Sequence, residues 1–194
     1  MTTIDTQRVA PARTTDRVVA AWGNARPVLK RAVLAAWVTA TALCTAVPAP
    51  TPVRWSIAVV GVILVTAALV DVHEHMLPNR LLLGALLAVG AGVLMASSAA
   101  VAVTATIGML LGGGLMLLVH LTRGVGMGDV KMAGVVGASV GAVEINAAPV
   151  AIAVAALAAA TYGLLARRQR LPIGPALWFG WAVSLAACAA GWLT

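Results

Sequence analysis

The chain has 194 residues, of which 61% are hydrophobic and 10% charged, and its net charge is +7. Its mean hydropathy is +0.99. A soluble domain of this size needs a polar surface over its core, and this composition cannot supply one. What remains is an all-α, polytopic transmembrane bundle, in which each helix satisfies its own backbone hydrogen bonds within the bilayer. In a soluble protein the positive charge would suggest nucleic acid. Here it gathers at segment ends, where membrane topology explains it, and no nucleic-acid partner is expected.

Residues 1–31 are polar and basic, with Arg8, Arg13, Arg17, Arg26, Lys30 and Arg31, and read as a cytoplasmic tail. The charged region is long and no cleavage site with a mature soluble domain follows, so a signal peptide is not expected. Val18, Val19 and Trp22 punctuate its polar residues and suggest an interfacial helix. Residues 32–194 form the transmembrane domain. Apolar blocks lie at 32–47, 55–70, 81–95, 101–121, 130–143, 147–166 and 175–193, which predicts seven spans. Several are short against the roughly 20 residues a span needs, and borrow flanking residues. The block from Val130 is the weakest; without it the number is six. Its Gly134, Gly137 and Gly141 form a small-residue stripe suited to close helix contact.

With the N-terminus in the cytoplasm and seven alternating spans, Arg80, Arg123, Lys131, Arg167, Arg168 and Arg170 all fall inside, and only Arg54 falls outside. That asymmetry is what the positive-inside rule requires. Cys44 and Cys188 lie within apolar blocks, form no CxxC pair and read as small buried residues. The six tryptophans read as an aromatic belt near span ends. No internal repeat emerges.

Two acidic residues stand apart. Asp71 and Asp129 each sit where an apolar span meets the same cytoplasmic interface, and ionisable groups at that depth are functional candidates by default. Asp71 ends a span, where the helix dipole disfavours negative charge; Asp129 precedes one, where the dipole favours the anion. Two carboxylates brought together share a proton, so one activates water while the other polarises a carbonyl. That is aspartic-protease chemistry, with Asp129 as base and Asp71 as acid, and it needs no cofactor. Gly126 and Gly128 flank Met127 just before Asp129; a glycine turn can take positive φ and admit a second chain closely.

His73-Glu74-His75 alternates possible ligands, but no further ligand cluster accompanies it and no metal site is expected. His120 and Arg123 read as interfacial. Lys131 follows Asp129 by two positions and so does not share its helix face; it either stabilises the cytoplasmic end or meets substrate.

Taken together, the run Asp71-Val72-His73-Glu74-His75-Met76-Leu77-Pro78-Asn79, then Gly126-Met127-Gly128-Asp129-Val130-Lys131, then Leu171-Pro172-Ile173-Gly174-Pro175, resembles the type IV prepilin leader peptidase family, over residues 55–193. The resemblance implies that Asp71 and Asp129 are the catalytic pair of a GxGD-type protease, with Pro78, Asn79, Lys131, Gly174 and Pro175 as supporting motif residues. It implies a prepilin or pseudopilin substrate with a short basic leader, a glycine at the cut and a hydrophobic helix after it. That helix must arrive laterally from the bilayer, and cleavage falls at the cytoplasmic face of the bacterial inner membrane. Pilus or secretion assembly proteins are the implied partners besides lipid. Bifunctional members carry a cytoplasmic insertion with paired cysteines and also methylate the new N-terminus. This chain looks like the short, peptidase-only form. Competing readings are a related GxGD protease with another membrane substrate, a transporter using interfacial carboxylates, and a non-catalytic assembly subunit.

Overall fold

The computed structural model describes residues 14–74, 77–122, 125–166 and 172–193. Residues 1–13 of the expected tail, His75, Met76, Leu171 and the expected cytoplasmic charges Arg123, Arg167, Arg168 and Arg170 lie outside the described residues. Among the described residues there are eight helices and no strand. They are α1 (Thr14–Asn24), α2 (Pro27–Ala46), α3 (Thr51–Glu74), α4 (Asn79–Ala96), α5 (Ala99–Leu121), α6 (Met127–Gly141), α7 (Ala147–Ala166) and α8 (Gly174–Ala189).

The seven apolar blocks correspond to α2 through α8. Of these, α2, α3, α4, α5 and α7 are long and apolar enough to cross a membrane. The other two are shorter: α6 has 15 residues and α8 has 16. Local chemistry sets several boundaries. Pro27 opens α2, where its missing N–H costs nothing. At the α4–α5 corner, Ser97 takes a left-handed conformation with φ 50°, and the Ser98 hydroxyl accepts the Val101 N–H at 3.4 Å.

The block read as the weakest span proves to be the centre of the bundle. Every residue from Met132 to Gly141 of α6 is buried, in contact with α5, α7, α4 and α8. A helix enclosed by protein need not match the lipid thickness. Lipid tails are as apolar as leucine, so helices here associate through close packing and not through removal of apolar surface from water. The glycine stripe supplies that packing. A Cβ on Gly108 of α5 would run into the Gly137 carbonyl, and a Cβ on Gly137 would run into the Gly108 carbonyl. Gly137→Val is therefore expected to force α5 from α6 and destabilise the protein by about 3 kcal/mol or more. Thermal aggregation of the detergent-solubilised protein checks this; an unchanged midpoint would contradict it.

The expected aromatic belt holds only in part. Trp55 and Trp192 are exposed, but Trp181 is fully buried, and its Nε1–H donates to the Ser139 hydroxyl at 2.9 Å, tying α8 to α6. It fits because Gly61 of α3 has no side chain: a Cβ there would come within 2.7 Å of the indole. Trp22 and Trp37 stack with ring centroids 6.3 Å apart. The interfacial helix expected in the tail is α1. Its Ala21 packs with Val65, Leu69 and Val70 of α3, and Arg17 pairs with Glu74 at 3.6 Å. Cys44 and Cys188 are buried free thiols.

Candidate active site

The chain folds α3, α4, α6 and α8 so that one end of each meets at one place. Asp71 lies in the last turn of α3, which runs to Glu74 and does not stop at Val70 as its apolar block suggested. The carboxylate is buried, and its Oδ2 accepts the Gly174 N–H at 2.8 Å from the start of α8. Gly174 is glycine for a steric reason: a Cβ there would lie 2.9 Å from Asp71 Oδ2 and 3.3 Å from the Ala68 Cα. Pro175 follows within the first turn of α8, where it needs no donor.

Asp129 lies in the first turn of α6. Its Oδ2 accepts the Gly126 N–H at 3.0 Å, while its own N–H donates to the Gly126 carbonyl at 3.1 Å. The carboxylate thus satisfies a donor that the helix start would leave open. The two glycines of the turn act differently from expectation. Gly126 is extended, with φ −78°, and Gly191 is the positive-φ glycine among the described residues. Gly128 is needed for close approach, because a Cβ there would meet the Leu77 Cβ at 3.0 Å.

Pro78 immediately precedes α4 and is buried; Asn79 opens the helix. The Lys131 ammonium donates to Asn79 Oδ1 at 3.0 Å and ties the start of α4 to the start of α6. Of the two roles weighed for Lys131, the structure displays the structural contact. His120 Nδ1 lies 2.7 Å from the Val125 carbonyl, so in this geometry the Nδ1–H donates and holds the connection from α5 towards α6. His73 is exposed.

One cavity of about 330 Å³ is lined by Asp71, Asp129, Leu77, Asn79, Gly126, Met127, Gly128 and Lys131. The two carboxylates chosen from the sequence therefore share a chamber. Leu77 and Met127 complete its wall and were not singled out in the sequence, since apolar residues among so many carry no local signal. Burial pushes the Asp129 carboxyl up to about 6; the Gly126 N–H opposes that rise and the neighbouring Asp71 charge adds to it. The preference for the anion expected at the helix start is thus outweighed by desolvation. Chemically the chamber offers two carboxylates, one stabilised in place by each helix end, with a glycine turn at its rim.

The model of the type IV leader peptidase family matches residues 57–164 of the chain. No curated protein and no solved structure matches it. The matched stretch runs from α3 through α7 and is more than half the chain. It contains both aspartates, Pro78, Asn79, the glycine turn and Lys131, while Gly174 and Pro175 lie beyond it. With a membrane-spanning helical fold and this match, the chain belongs to the type IV leader peptidase family.

Proposed function

We propose that this membrane peptidase is an aspartic endopeptidase that removes the basic leader of type IV-type prepilins or pseudopilins. The observation that supports it is the single cavity shared by Asp71 and Asp129. Asp129, ionised, takes a proton from water as the water oxygen attacks the scissile carbonyl carbon. Asp71, protonated, gives its proton to the carbonyl oxygen. Collapse of the tetrahedral intermediate returns that proton to Asp71, breaks the C–N bond and transfers the Asp129 proton to the leaving amine. The Gly174 N–H donates to Asp71 Oδ2 and holds that carboxyl in place. Water is the nucleophile, so the reaction needs no cofactor. Arg80, beside Asn79, and Lys131 stand at the same end of the bundle as both aspartates. The positive-inside rule then favours cleavage at the cytoplasmic face of a bacterial inner membrane.

Co-expression with a prepilin tests this reading. The expected product starts at the residue after the leader glycine, seen as a gel shift and by mass spectrometry of the new N-terminus. An intact precursor in membranes that hold the protein would count against it. The mechanism also sets a pH dependence. The pair must hold one proton between them, so the rate should fall on acidification, when both carboxyls are neutral, and on alkalinisation, when both are ionised. A rate that stays constant from about pH 3 to about pH 9 would contradict the assignment.

A further inference from the structure

Helices α4 and α5 are joined by the short corner at Ser97 and Ser98. A groove of about 650 Å³ opens between them with α6 as its floor. Its walls come from the half of each helix remote from that corner: Leu82, Leu83 and Leu86 of α4, and Met109 to Leu117 of α5. The pair thus splays towards the end of the bundle that carries the aspartates. Only Asn79 and Lys131 bring polar side chains to the groove, and these same two residues line the aspartate cavity. The groove and the cavity are therefore neighbouring compartments with one hydrogen-bonded pair, Lys131 to Asn79, between them.

We propose that this groove seats the first turns of the substrate's hydrophobic helix, just after the scissile bond. The inference rests on the protease reading and adds to it where the substrate lies. From Met109 to Leu117 the wall spans about 12 Å, roughly two helical turns. The floor and wall are kept low by glycines: Gly114 has nothing within 4 Å of a Cβ position, and at Gly113 and Gly134 the nearest atoms lie at 3.5 and 3.7 Å. A second helix can therefore approach closely, as helices do in bilayers. Charge sets the direction. An apolar groove with the Lys131 cation at its end rejects a basic leader, whereas the adjoining cavity holds two carboxylates. The leader lies on the aspartate side, the helix lies in the groove, and the bond between them crosses the Lys131–Asn79 boundary.

Photocrosslinking tests this in membranes, with the uncut prepilin held on the full-length Asp71→Asn protein. Benzoylphenylalanine replaces Leu83 or Leu117 in the groove, or Leu157 on the outer surface of α7. Leu83 and Leu117 should each capture substrate residues within the two turns after the cut, and Leu157 should capture none. Capture of lipid alone, capture of a second copy of the protein, or equal capture from Leu157 would overturn the proposal. A kinetic variant gives a second readout. Gly114→Leu fills the groove without meeting another atom at Cβ, and should raise KM for the full-length prepilin about tenfold with kcat changed less than about twofold. An unchanged KM would overturn it as well. Wild-type cleavage of the same prepilin is measured alongside. Cleavage without groove crosslinks removes the groove proposal alone; neither cleavage nor crosslinks removes the protease reading and the groove with it.

Discussion

Asp71→Asn and Asp129→Asn are each expected to lower leader cleavage at least about a thousandfold, with the double variant no slower than the worse single one. Positioned acid–base groups commonly contribute about 10² to 10⁴ in rate. Two groups that complete one proton circuit fail together, so their effects do not multiply. The structure makes these replacements informative because asparagine can keep the local contacts. Its amide oxygen can still accept the Gly126 N–H at position 129 and the Gly174 N–H at position 71. The charge and the exchangeable proton are lost while the starts of α6 and α8 keep their hydrogen bonds. Single-turnover rates on one prepilin, with membrane insertion checked in parallel, supply the comparison. Multiplicative losses in the double variant would show that the two carboxylates act independently.

Gly174→Ala is expected to lower kcat by about ten- to a hundredfold while the protein still inserts. The added Cβ would lie 2.9 Å from Asp71 Oδ2, 3.2 Å from the Asp71 Cβ and 3.3 Å from the Ala68 Cα. Two of those neighbours belong to the packed body of α3 and cannot swing aside as a side-chain tip could. The start of α8 must move instead, carrying with it the N–H that fixes Asp71. Displacing a catalytic group by as little as about 1 Å can cost about 10² in rate. Gly90→Ala on α4, where a Cβ meets nothing within 4 Å, supplies the matched control and should leave the rate unchanged. Equal rates for both variants would show that the Gly174 contact does not position Asp71.

The features legible in the sequence are those carried by neighbouring residues. Long apolar blocks announce the helices, and a carboxylate at a block's end stands out whatever the rest of the chain does. Asp71 and Asp129 were singled out on that basis and line one cavity. What escaped depends on pairs of distant segments. The block from Val130 looked weak because its own length is the only local cue. Its central place follows from how Gly137 meets Gly108 of another helix. Lys131 was weighed against Asp129, two positions away, whereas its hydrogen bond reaches Asn79 across 52 residues. Trp181 resembled an interfacial tryptophan until Ser139 and Gly61 gave it a buried partner and a space to fill. At Gly126 the sequence permits positive φ, but the turn is made from extended backbone.

The most direct test is cleavage by the purified protein in proteoliposomes with one synthetic prepilin and no other protein present. Wild type is compared with the double variant Asp71→Asn/Asp129→Asn. The expected result is release of the leader by wild type alone, with both proteins inserted equally. Cleavage by the double variant at the wild-type rate would contradict the assignment of these two carboxylates as the catalytic pair.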